Sequence, residues 1–137
     1  MAVLLAEMDA FYGQSGRESS AVKIANMRRY LFGPAPSAYL LVAVSDATVV
    51  GIAAYSYLWP AGGTTRSVYL KDLFVAATHR RTGAGRLLFT ALVDKARSEG
   101  CTRLDWTADL PNKEAQAFYA SLGLTANPTK LPYRLPL

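Results

Sequence analysis

Val68-Tyr69-Leu70-Lys71-Asp72-Leu73-Phe74-Val75, followed shortly by Arg80-Arg81-Thr82-Gly83-Ala84-Gly85-Arg86, decides how this chain folds. The first run is apolar and reads as a strand. The second is a glycine-bearing turn, and the amphipathic segment from Arg86 to near Gly100 reads as a helix opened by that turn. A strand that ends in such a turn aims successive backbone N–H groups and the positive end of the helix dipole at one spot, which suits phosphate. Arg80, Arg81 and Arg86 add cationic donors, a set better matched to several phosphate groups than to a single carboxylate.

Three glycine-loop readings compete. A P-loop needs Gly-Lys-Ser/Thr after its second glycine, and Gly85 is followed by Arg86-Leu87, so that reading fails. A dinucleotide fingerprint needs a third glycine where this chain has Leu88, although Asp105 stands about 20 residues beyond Gly83, so a nicotinamide cofactor stays an alternative. The third pattern is Arg-x-x-Gly-x-Gly, here Arg80, Gly83 and Gly85. In this form it resembles the acetyl-coenzyme A motif of the GNAT superfamily of N-acetyltransferases, against the plainer reading of a structural turn.

A second motif is similar to the same superfamily: Asn112-Lys113-Glu114-Ala115-Gln116-Ala117-Phe118-Tyr119-Ala120-Ser121-Leu122-Gly123, in which an asparagine opens a helix, an aromatic-tyrosine pair follows and Leu-Gly closes it. The two motifs span residues 68–124. The resemblance implies acetyl transfer from the thioester of acetyl-coenzyme A directly to an amine. It assigns the backbone of Leu73, Phe74 and Val75 to the pantetheine arm and the turn of Arg80, Arg81, Thr82, Gly83, Ala84, Gly85 and Arg86 to the pyrophosphate. It also makes Asn112 a cofactor ligand and Tyr119 the acid that protonates the leaving thiolate. Parallel strands that diverge would admit the arm between Val75 and Trp106.

The tyrosine suits that task. A thiol has a pKa near 8.5 and a phenol one near 10, so a positioned phenol can protonate a thiolate without itself ionising at neutral pH; the plain alternative is a packed aromatic. The attacking amine must be neutral, and Asp72 is the candidate base, because an acid inside an apolar strand is costly unless partnered or used. A structural acceptor is its alternative role. Some polyamine acetyltransferases carry an acidic pair on this strand, and the first member here is Lys71, which argues against a polyamine. Asp105 and Asp109 are further candidates.

Composition limits the function classes. A chain of 137 residues is read as a single domain over residues 1–137 with one site. It is 51% hydrophobic and 18% charged, the profile of a soluble globular protein. No apolar stretch reaches the roughly 18 residues of a membrane span, and no basic region precedes an apolar core as in a signal peptide, so the expectation is cytoplasmic and without a membrane. Cys101 is the only cysteine, which excludes an intrachain disulfide and a cysteine-rich metal site; no metal is expected. His79, the only histidine, reads as a solvated loop residue. The net charge of +5 comes from scattered residues apart from Arg28-Arg29 and the Arg80–Arg86 cluster, so no nucleic acid is expected.

Periodicity gives helices over 4–12, stopped at Gly13, and 18–32, ended by Gly33-Pro34-Ala35-Pro36, with a polar turn at 15–20 between them. Strands follow over 38–45 and 48–58 as a hairpin around Asp46-Ala47, then a loop at 59–63 and the strand 68–75, antiparallel to its predecessor. After the helix, 102–107 is a short strand parallel to 68–75. Asn112 caps the last helix, which closes at Gly123, and the three-proline tail 124–137 permits only short edge strands. The fold class is α/β (α+β): a mixed, mostly antiparallel sheet with a parallel splayed pair, flanked by helices, as in the GNAT acyl-CoA N-acyltransferase fold. The superfamily usually has one more strand before the first helix; here it is missing or precedes this stretch, which leaves its neighbour an unpaired edge.

The acceptor pocket of that family lies between the first two helices and the later strands, so Tyr12, Tyr30, Tyr57, Trp59 and Tyr133 are candidate lining residues. A small-molecule amine, amino acid or aminated antibiotic is the expected substrate, with a protein N-terminus or lysine next. A non-catalytic acyl-coenzyme A sensor is the rival from another class. Family members often form homodimers, and Tyr133-Arg134-Leu135 is an apolar edge that could pair.

Overall fold

The computed structural model describes residues 1–14, 16 and 18–136. The chain forms two compact units, Met1–Trp106 and Thr107–Leu137. The first holds α1 (Ala2–Phe11), α2 (Ser20–Phe32), β1 (Tyr39–Ser45), β2 (Thr48–Leu58), β3 (Ser67–Val75), a 3-10 turn (Ala77–His79), α3 (Ala84–Ser98) and β4 (Arg103–Trp106). The second holds α4 (Lys113–Ser121). Among the described residues the strands form one sheet in the order β1-β2-β3-β4, antiparallel except for the parallel β3–β4 pair.

Local chemistry sets these boundaries. Asp46 and Ala47 both adopt left-handed backbone, φ 46° and 61°, which gives the tight β1–β2 turn a twist matching that of its strands. The Ser19 hydroxyl accepts the Val22 N–H at 3.3 Å and starts α2. At its end, a Cβ on Gly33 would lie 2.4 Å from the Arg29 carbonyl oxygen, so glycine is required for that close approach.

The sheet separates two apolar layers. Leu4 of α1 packs on Ile52 and Phe74, while α3 buries Leu88, Phe89, Leu92 and Ala96. Ile52 pairs with Phe74 and Gly51 with Val75, so strand alternation puts these pairs on opposite faces. A Cβ on Gly51 would stand 3.1 Å from Leu88 Cδ1, which marks the α3 face and explains the bare position. α1 and α2 are joined by the ion pair of Asp9 and Lys23.

Each expected element is present, with shifts. α3 begins at Ala84 rather than Arg86, because left-handed Gly83 serves as its N-cap. Described residues 122–136 carry no strand, where the sequence permits only short ones at an edge; Pro128, Pro132 and Pro136 remove ladder donors. The polar turn at 15–20 falls partly on Ser15 and Arg17, which lie outside the described residues. Among the described residues β1 is an outer strand, paired with β2. No helix of the described residues is long and apolar enough to cross a membrane.

Candidate active site

β3 loses its β4 partner at Leu70, which is opposite Trp106, and runs on through Val75 with that edge outside any strand pairing among the described residues. At the same place its register with β2 slips: Tyr55 faces Leu70 and Ala54 faces Asp72, so Lys71 is an extra residue in a β-bulge. The bulge has a chemical consequence. Without it Asp72 would share the α3 face with Leu70; with it Asp72 faces the α1 side, along with Phe74. The Asp72 side chain keeps 23% of its surface exposed, and its Oδ1 stands 4.0 Å from Lys71 Nζ. An acid that sequence alone makes costly is thereby kept off the α3 face and left partly exposed.

Past Val75 the chain makes the 3-10 turn and then the glycine turn. Arg81 and Gly83, two residues apart, are both left-handed, φ 63° and 92°, and follow an extended Arg80. Gly83 offers no side chain to cap α3, whose first-turn amides have no intrahelical acceptor. The Thr82 hydroxyl is occupied with the His79 carbonyl at 2.7 Å. Arg81, Thr82, Gly83 and Arg86 are exposed, and Ala84 and Gly85 are half-buried. This donor set of turn amides, helix-start amides and exposed guanidinium groups fits a diphosphate.

Arg80, expected at the pyrophosphate, also has a seat within the chain. Its Nε donates to the Val75 carbonyl at 3.1 Å, and its guanidinium lies over the Phe11 and Phe74 rings at 5.0 and 5.5 Å. The turn also has an anchor that sequence reasoning missed: Glu7 Oε1 accepts the Ala77 N–H at 2.7 Å. No sequence signal marks a bond between residues 70 positions apart.

In the second unit Asn112 caps α4, its Oδ1 accepting the Ala115 N–H at 3.0 Å. The cap therefore uses the amide oxygen, not the Nδ2 donor. Tyr119 is half-buried with its ring edge-on to Phe118, 5.2 Å between centroids. Gly123 closes the helix in left-handed backbone, φ 75°.

Of the remaining candidates, Asp105 shares a face with Tyr69, its partner in register, and is held by Arg103 Nε at 2.6 Å. A cleft is lined by Asp9, Gln14, Glu18 and Lys23. Tyr57 stands on the α3 face with its hydroxyl on Glu99, opposite to α1, so it belongs to the packing of α3 rather than to a pocket beside the first helices. Trp59 Nε1 donates to the Thr64 carbonyl at 3.1 Å within its own loop, and Tyr133 is 92% exposed. Among the described residues no group of acidic, histidine or cysteine side chains could hold a metal.

The profile of the Acetyltransferase (GNAT) family matches residues 2–124. A solved integron cassette protein from the mobile metagenome of V. cholerae superposes with a TM-score of 0.90 at 30% identity, covering 98% of this chain and 83% of its own. Thialysine N-epsilon-acetyltransferase of Mus musculus is 31% identical over 120 residues, 77% of this chain and 67% of that protein. L-ornithine N5-acetyltransferase of Arabidopsis thaliana is 30% identical over 80 residues, 58% of this chain, and the match spans only 35% of that protein.

Proposed function

The chain belongs to the acetyltransferase (GNAT) family, and on that premise we propose that it moves acetyl from acetyl-coenzyme A to a primary amine of a small molecule by direct attack. The observation that carries this reading is the exit of β3: a strand edge released from β4 after Leu70, leading straight into the left-handed turn before α3. Backbone groups of Leu73, Phe74 and Val75 bind the pantetheine arm. Turn and helix-start amides of residues 80–86, with the Arg81 and Arg86 side chains, bind the pyrophosphate. Arg80 holds the turn, and Asn112 offers its amide to the donor. The two units are read as one N-acetyltransferase domain because the family match runs through both.

Acetyl-coenzyme A supplies the activated acyl group. Asp72 accepts a proton from the acceptor ammonium, directly or through water, so that the nitrogen lone pair is free to attack. As the new C–N bond forms and the C–S bond breaks, the Tyr119 hydroxyl donates its proton to the departing sulfur, and the proton shed by the new amide nitrogen returns to the Tyr119 oxygen directly or through water. The relatives support a small acceptor, since both are named for amines of small molecules, ornithine and thialysine.

The test follows thiol release from acetyl-coenzyme A over a panel of diamino acids, aminoglycosides and peptides. Turnover is expected on a small amine, and Tyr119→Phe is expected to lower kcat by about 10²- to 10⁴-fold with coenzyme A affinity retained. Tight coenzyme A binding without turnover on any amine would replace the enzyme with a sensor. Wild-type kcat in Tyr119→Phe would remove the phenol from the reaction.

A further inference from the structure

The segment that leads from β3 into the glycine turn is fixed at both ends, Ala77 and Arg80, by a helix far from it in sequence. At its start, Ala77 opens the 3-10 turn, where an N–H has no partner of its own, and Glu7 Oε1 supplies one at 2.7 Å. At its end, the Arg80 guanidinium lies over the Phe11 ring at 5.0 Å while its Nε holds the Val75 carbonyl. Phe11 also meets Phe74 at 6.0 Å, and Leu4 seats the same helix on Ile52 and Phe74. Glu7, Phe11 and Leu4 thus tie successive turns of α1 to the end of β3 and the loop beyond it.

We propose that Glu7 and Phe11 are positioning residues for donor binding, joining α1 to the phosphate-binding turn as one mechanical unit. The inference rests on the donor site proposed above. Neither residue is among the groups assigned to the phosphates. Ordering the turn around a diphosphate requires Ala77 and Arg80 to be held, and both are held from α1. Coupling between two sites is reciprocal: a helix that favours the bound turn is itself favoured when the donor binds. α1 also borders the cleft lined by Asp9 and Gln14, so the donor would order one wall of that cleft.

The experiment is hydrogen–deuterium exchange of the whole chain with and without coenzyme A, with calorimetric Kd values for wild type, Glu7→Ala, Glu7→Gln and Phe11→Leu. In the wild type, coenzyme A is expected to slow exchange in residues 77–86 and also in α1. Glu7→Ala and Phe11→Leu are each expected to weaken coenzyme A by about fivefold or more and to abolish the protection of α1. Glu7→Gln keeps an oxygen for the Ala77 N–H and should restore both. Protection of the turn without α1 overturns the coupling and leaves the donor site standing, as does unchanged affinity in the first two variants. No protection of the turn in the wild type overturns the donor site itself. The wild-type comparison decides even where a variant fails to fold.

Discussion

The two ends of α3 carry similar chemistry and treat it in opposite ways. At the C-terminal end the Glu99, Gly100 and Cys101 amides return to the Lys95, Arg97 and Ala96 carbonyls, and Arg66 Nη2 donates to the Glu99 carbonyl at 3.2 Å. The Glu99 carboxylate takes Lys95 Nζ at 2.6 Å and the Tyr57 hydroxyl. At the N-terminal end Gly83 provides no side chain and Thr82 turns its hydroxyl back to His79. One end is closed by the protein's own groups. The other leaves its first-turn amides without a side-chain cap, and charge placed there should act on a ligand as well as on the fold.

Ala84→Asp tests this with the largest expected effect, because its two readouts move in opposite directions. A carboxylate in the first helical turn favours the dipole and should stabilise the fold by about 0.3–1 kcal/mol. The same carboxylate beside the proposed diphosphate site should raise the KM for acetyl-coenzyme A by about tenfold or more. A higher melting temperature with an unchanged donor KM would show that the open end is not the phosphate site.

The closed end should answer to pH instead. Burial, then the bond to Glu99, pushes the Tyr57 phenol well above its ordinary 10.0; burial raises Tyr55; and the bond to Glu99 raises Lys95. The unfolded chain therefore releases these protons first, so the stability they contribute is complete below pH 10 and is lost as pH climbs through the folded values. Glu99 is lowered by its bonds to Lys95 and then Tyr57, so its share holds above its ordinary 4.5 and fades as pH falls through the folded value. Tyr57→Phe should cost about 1 kcal/mol at neutral pH, flatten the alkaline fall in a denaturant titration and leave donor KM unchanged. A shift in donor KM would mean that the two ends are not independent.

The helix starts and caps were legible in the sequence and the long-range contacts were not, for a physical reason. Glycine at a left-handed helix start, asparagine at a cap and apolar spacing along α3 are local requirements, met by residues close in sequence. The Lys71 bulge depends on how β3 registers against β2, and the Glu7–Ala77 bond depends on α1 landing at the end of β3. Both are tertiary outcomes with no short-range signal. Arg80 illustrates the boundary: its place in the motif is visible, but its seat on Phe11 and Phe74 exists only once the helix has docked.

The smallest effects come from comparing one arginine at each end. Arg81 is exposed and held at φ 63°, a conformation that costs a non-glycine residue about 1 kcal/mol. Arg81→Gly relieves that cost but adds about 0.5–1 kcal/mol of chain entropy to the unfolded state, so the melting temperature should barely change. The lost guanidinium should raise donor KM only about two- to fivefold, the range of an exposed ion pair. Arg66 lies over the Tyr57 ring at 5.0 Å, so Arg66→Ala should do the reverse, lowering stability by about 1 kcal/mol with donor KM intact. Equal effects of the two substitutions on donor KM would mean that α3 has no open end, and that its charge serves the fold alone.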